Sequence, residues 1–246
     1  MRALTLDSAG DRTYVRVEIK EAVMAGTGDG RAVPVKDLIL WPAVITLAVT
    51  LLRLTGELMG GSDRLFNRAP GGPGAIVGIV WLVPVFGYYF GHRLARLGFR
   101  PASAGRLFGF AVLAIAVFVG LVSVAVSLPH TSPAQVGLAA VGAWIAIVIA
   151  RRAWPELWSV LLAYGLAARI PVALVMLLAI LGSWGTHYDV VPPDFPAMSA
   201  LRRWVVVGLL PQLTGWMAFT VLLGMLVGGV AAVVASRTRA ASPAAA

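Results

Sequence analysis

The sequence predicts an all-α, polytopic membrane helix bundle of six transmembrane helices with both termini in the cytoplasm. Three observations predict it. The 246-residue chain is 59% hydrophobic and 13% charged, with a mean hydropathy of +0.85. A soluble domain carries about 25% charged residues, so the polar surface needed to cover a globule in water is missing. The apolar residues are gathered into long runs, and about 20 of them in a helix cross a 30 Å hydrocarbon core. Finally, Lys and Arg fall between the runs, unevenly on the two sides, as the orientation rule for membrane proteins places them.

The elements follow in order. Residues 1–36 form a polar tail in which Val15, Val17 and Ile19 alternate with Arg16, Glu18 and Lys20, a strand period. A lone strand buries no face, so Met24 is an alternative start and residues 1–23 a miscalled extension. No apolar core follows Arg2, so segment 1 is expected to serve as its own insertion signal. Segment 1 covers residues 38–54, with Pro42 in its first turn. Segment 2 covers 74–90, with a kink expected at Pro84. Segment 3 covers 107–128 and has no charge. Segment 4 covers 134–150 and stops at Arg151 and Arg152. Segment 5 runs from Pro155 to Gly182, with Pro171 as a second kink. Segment 6 covers 204–235, divided by Pro211 into an interfacial piece and the helix proper. The transmembrane domain is thus 37–236, followed by a disordered tail over 237–246.

Six spans put both termini on one side. That side holds six Lys and Arg in the N-terminal tail, Arg93, Arg96, Arg100 and Arg106 in loop 2–3, and Arg151, Arg152, Arg237 and Arg239. The other side holds Arg53, Arg64, Arg68, Arg202 and Arg203. The bias, fourteen to five, makes the termini cytoplasmic. The expected location is a cell membrane, read as a bacterial inner membrane. Trp41, Trp154, Trp158, Trp184 and Trp204 fall at segment ends, the interfacial belt. Glycines four apart (Gly74 and Gly78, Gly87 and Gly91, Gly105 and Gly109, Gly224 and Gly228) let helices in lipid approach closely. Two pairs on segment 2 make it the expected central helix.

Composition also excludes chemistry. Cysteine is absent, so disulfides, thiolate metal sites and cysteine nucleophiles are ruled out. The basic charge is interleaved with apolar runs rather than gathered on a soluble face, which speaks against nucleic acid. No phosphate-cradling loop, helical histidine pair with glutamate or serine elbow is present, and no cofactor is expected. The three histidines, His92, His130 and His187, match no metal motif, and a metal site is not expected.

The candidate site lies between Trp158 and Pro196. Arg169 sits mid-span, where a charge costs about 2.5–3.5 kcal/mol on insertion scales. It answers either to backbone carbonyls freed by Pro171 or to an anionic ligand in a cavity. Glu57 is the acid nearest to it in depth. Arg53 precedes Glu57 by four residues, the weaker order on a helix, which leaves Glu57 able to face the bundle, with a contact to Arg169 as one alternative among others. Asp189 is twenty residues from Arg169, about 30 Å along an unbroken helix. The following loop offers Trp184, His187, Tyr188 and Asp189, either as a proline-braced lid or as a proton-transfer site with His187 and Asp189 as catalytic residues.

Three functional readings result. The first is non-enzymatic binding or transport of an anionic or lipid-like ligand around Arg169, with Glu57, Tyr188 and Trp184 in the site. The second is a membrane-embedded enzyme acting on a lipid headgroup at the trans face through His187 and Asp189. The third is a structural or assembly subunit whose glycine-lined faces dock a partner helix or a second copy. The bilayer is the expected partner in each, with anionic lipid at Arg93, Arg96, Arg100 and Arg106.

Overall fold

The computed structural model describes residues 32–129, 131–193 and 195–240, with side chains to residue 236. The alternation at residues 15–19, Met24, His130, Asp194 and residues 241–246 lie outside the described residues. The described residues are helical without strands. They form α1 (Val35–Leu58), α2 (Asp63–Phe66), α3 (Leu82–Arg96), α4 (Ala104–Val126), α5 (Pro133–Ala150) and α6 (Pro155–Gly182). Then come α7 (Ala200–Arg203), a π-helical turn (Trp204–Leu209), α8 (Leu210–Leu213) and α9 (Gly215–Ala240). Five stretches are long and apolar enough to cross a membrane: α1, α4, α5, α6 and Ala200–Ser236. Large apolar side chains such as Trp41, Val112, Val148 and Leu178 stand exposed on their outer faces, the surface of a membrane protein.

Segment 2 is not one helix, a correction to the expectation. Residues 74–81 turn and bend, and the helix begins only at Leu82. At 1.5 Å per residue α3 is about 22 Å long, short of the hydrocarbon thickness. The cause is the glycine-rich approach, in which Gly71, Gly72 and Gly74 take positive φ, backbone that L side chains rarely adopt. Pro84 is therefore the third residue of α3, where its missing N–H interrupts nothing. Pro42, by contrast, lies inside α1, because the helix starts a turn earlier than expected. α6 runs unbroken through Pro171. The division of segment 6 falls near Pro211, at Thr214, whose φ of −123° and ψ of −82° break the helix.

The centre of the bundle is α9, not segment 2: α9 packs on α3, α4, α5 and α6, while α1 packs on α6. Two of the glycine pairs explain its contact with α3. A Cβ on Gly87 would stand 2.8 Å from Gly224 Cα, and one on Gly91 would meet the Gly228 carbonyl. Small residues on both helices let the backbones touch. Gly105 and Gly109 instead face open space, and Gly74 and Gly78 belong to the irregular stretch.

These contacts fix helix directions. Gly87 opposite Gly224 and Gly91 opposite Gly228 make α3 and α9 parallel. Leu161 meets Gly224 and Leu157 meets Gly228, so α6 runs against α9. Thr46 bonds Tyr164, and further along Leu54 packs against the cluster of Val172, Val175, Met176 and Ala179, so α1 runs with α6. Leu107, at the start of α4, meets Gly229 of α9.

Substituting Gly91 by Ala is expected to cost about 1–3 kcal/mol, because the obstacle is backbone that cannot move aside. Gly105→Ala, in open space, is expected to be neutral or slightly stabilising. Thermal melts of the two variants in detergent check the contrast, and equal melting points would contradict the α3–α9 contact.

Candidate functional site

One face of α1 builds the first wall of the site. Leu38, Pro42, Thr46, Thr50, Arg53 and Glu57 are its buried residues, spaced by three or four. They form one stripe along the helix. Thr46 Oγ1 donates to the Pro42 carbonyl at 2.8 Å, and Thr50 Oγ1 donates to that of Thr46 at 2.9 Å. Both hydroxyls are thus satisfied within α1.

Glu57, 1% exposed, is the polar centre. Arg53 Nε donates to its Oε1 at 2.8 Å. The His187 backbone N–H donates to Oε2 at 2.8 Å, and His187 Nδ1 lies 2.5 Å from Oε1. The alternative of a Glu57–Arg169 contact is therefore not realised. The weaker ordering of Arg53 and Glu57 on a surface helix does not govern here, since burial removes competing water and strengthens the charged hydrogen bonds.

Arg53 also donates through Nη2 to the Asn67 carbonyl at 3.1 Å and the Gly72 carbonyl at 3.2 Å. It thereby ties the irregular stretch to α1. A Cβ on Gly72 would collide with this guanidinium, and Gly72 has a φ of +57°. Both facts require glycine at that position.

The loop after α6 folds back inward. Ser183, at a φ of 49°, ends the helix. Asp189 then accepts from the Gly185 and Thr186 amides at 2.9 and 2.8 Å, and from Thr186 Oγ1 at 2.7 Å. Its carboxylate closes a turn, so the group that orients the His187 ring is Glu57. The turn drives Tyr188 into the interior, 5% exposed, among Val172, Val175, Met176 and Ala179. The Tyr188 hydroxyl donates to the Thr50 carbonyl at 3.3 Å, and burial pushes its phenol up, so it stays a donor. Burial also holds the His187 imidazole below its ordinary value, with Arg53 acting in the same sense against the hydrogen bond and charge of Glu57. Trp184 remains partly exposed beside Gly182 and does not line the cavity described next.

A cavity of about 640 Å³ lies between α1, residues 70–81, α6, the loop and the start of segment 6. Most of its wall is apolar, including Trp81, Met176 and Trp216; Thr50, Arg53, Arg169, His187 and Gln212 are polar. Arg169, 3% exposed, donates through Nη2 to Thr220 Oγ1 at 3.2 Å. Its guanidinium lies 5.1 Å from the centre of the Trp216 ring, within cation–π range. It has no ion pair among the described residues, and its Nε has no hydrogen-bond partner. Gln212 Oε1 on the same wall is likewise unpartnered.

The structure thus brings Arg169, His187 and Tyr188 to one cavity, with Glu57 directly behind His187, and leaves Asp189 and Trp184 apart. No three His, Asp or Glu side chains converge among the described residues. Sequence reasoning missed the Thr46–Thr50–Arg53–Glu57 stripe, whose three- and four-residue spacing was its signal, and the part played by Gly72 and Gln212. Comparison with protein-family models, with curated proteins and with solved structures returns no match, so the chemistry rests on this geometry.

Glu57→Gln leaves the buried Arg53 charge without its counter-ion and is expected to cost about 3–5 kcal/mol. Asp189→Asn, which keeps one acceptor oxygen for the turn, is expected to cost about 1 kcal/mol. Melting of the two variants in detergent ranks them, and the reverse order would contradict the assignment. Because His187 is held below its ordinary value of 6.5, the unfolded chain takes up a proton before the folded one. Stability is therefore complete above that value and is lost as pH falls below it. A melting point that falls from about pH 7.5 to about pH 5.5 is expected, and less so in His187→Asn.

Proposed function

We propose that this chain is a six-span membrane protein, its termini cytoplasmic, that binds an anionic, lipid-like ligand in the cavity around Arg169. The observation that carries the reading is the state of Arg169. It is a buried guanidinium on a cavity wall, with an unpaired Nε and no counter-ion among the described residues. Ionisable groups inside a membrane face a partner or a functional cavity because lipid cannot solvate them. A phosphate or carboxylate at Arg169 supplies the missing charge, and the apolar remainder of the wall suits acyl chains.

The alternating helix directions support six crossings, the second made by residues 67–81 together with α3. Non-helical backbone at membrane depth is tolerated where it lines a cavity, as residues 70–75 do here. The arginine bias then sets the cavity toward the trans side. On the opposite side Arg93, Arg96, Arg100 and Arg106 meet the anionic cytoplasmic leaflet, each contributing about 1 kcal/mol.

Two experiments test this reading. The chain has no cysteine, so single cysteines report sidedness directly. An impermeant maleimide added to intact cells should label Ser62→Cys and spare Ala102→Cys; the opposite pattern inverts the topology. For the ligand, titration of the detergent-purified protein with dihexanoylphosphatidylglycerol should give saturable binding, weakened at least about tenfold by Arg169→Gln. Unchanged binding by the folded variant would refute the cavity.

A further inference from the structure

Glu57 and His187 are not used by a ligand held at Arg169 alone, yet they are joined by two hydrogen bonds. Both Glu57 oxygens are engaged by His187, one through its backbone N–H and the other through Nδ1. That arrangement fixes the ring and the tautomer. Nδ1 carries the hydrogen toward the carboxylate, and Nε2 is left bare, with no protein partner among the described residues. The ring lines the same cavity as Arg169, and its Cδ2 edge, next to Nε2, lies against Gly72, where no side chain intervenes.

The charges around the ring decide what happens there. From α1 it faces Arg53 and Glu57, which neutralise one another. From its own loop it has Asp189, whose carboxylate is bound to backbone amides, and Tyr188, an uncharged phenol. The stretch from residue 70 to 75 contributes no titratable group. From α6 the cavity receives Arg169, and from segment 6 the neutral Gln212 and Trp216. Burial and Arg53 disfavour a proton on the ring, while Glu57 and Asp189 favour one. An anion in the cavity that His187 and Arg169 both line adds a further negative charge and favours the protonated ring.

We propose that the site binds its anionic ligand together with a proton, which His187 takes up on Nε2 while Glu57 holds the ring from behind. The inference rests on the reading of the cavity as an anion site and adds its coupling. The proton comes from solvent, and no bond in the ligand is made or broken. By linkage the ligand binds more tightly as pH falls through the range in which His187 titrates, by up to about tenfold per pH unit for one coupled proton.

The test is calorimetric titration of the full chain in maltoside micelles with dihexanoylphosphatidylglycerol, whose phosphodiester stays charged throughout. Repeating it in two buffers of different ionisation enthalpy counts protons. Net uptake approaching one proton per lipid is expected in the acidic half of the histidine range. In His187→Asn the side-chain amide replaces Nδ1–H as donor to Glu57 but cannot titrate. This variant should bind the lipid with uptake abolished and affinity flat with pH. Arg169-dependent binding without proton uptake, or with uptake unchanged in His187→Asn, overturns the coupling and leaves the anion site standing. Absence of lipid binding at every pH overturns both. The wild-type proton count decides the coupling even where the variant fails to fold.

Discussion

A carboxylate buried at the end of α1 holds the site together. Glu57 is 1% exposed and has both oxygens occupied by groups from different parts of the chain. A charge in such a place is tolerated only when fully hydrogen-bonded, and that requirement works as a constraint on geometry. Arg53 must come to it along the helix, and in doing so it reaches the carbonyls of Asn67 and Gly72. His187 must come to it from the loop, and in doing so it carries Tyr188 under α1. One acid thereby sets the position of two irregular segments that sequence pattern leaves free.

The cavity exists because these segments are irregular. A continuous helix from residue 74 would fill the space between α1 and α6 with side chains. Instead the backbone turns through glycines, and only Leu82–Arg96 is helical. That helix is too short to bury much surface by length alone, so it gains contact by closeness: Gly87 and Gly91 bring it against Gly224 and Gly228 of α9. Close backbone packing at one end and a turning backbone at the other are two uses of one residue type. The first relies on the missing Cβ for space, the second for conformational freedom.

The legible part of the fold was what hydropathy encodes. Four of the six expected spans emerge as α1, α4, α5 and α6, with boundaries shifted by a few residues, because each is a long, predominantly apolar run. The sixth was legible as apolar and as divided near Pro211, but not as a π-helical turn ahead of the break at Thr214. Residues 74–81 misled because Ala75, Ile76, Val77, Ile79 and Val80 are as apolar as a helix needs, while the glycines before them decide the conformation. At the site, Arg169 was legible from the cost of its position. The pairing of Glu57 was not, since the weak ordering of Arg53 before Glu57 holds for exposed helix pairs and this pair is buried. The inward fold of the loop was invisible as well. It depends on Asp189 binding amides three and four residues back, a local contact that hydropathy does not record.

Glu57 grips the Nδ1–H of a neutral His187 and leaves Nε2 bare toward the cavity. Nitrogen-15 NMR of the histidine-labelled protein at neutral pH reads this directly, with His187→Asn identifying the resonances. A single tautomer with a protonated Nδ1 and an unprotonated Nε2 is expected. A ring protonated at Nε2 with Nδ1 bare, or a mixture of tautomers in fast exchange, would contradict it.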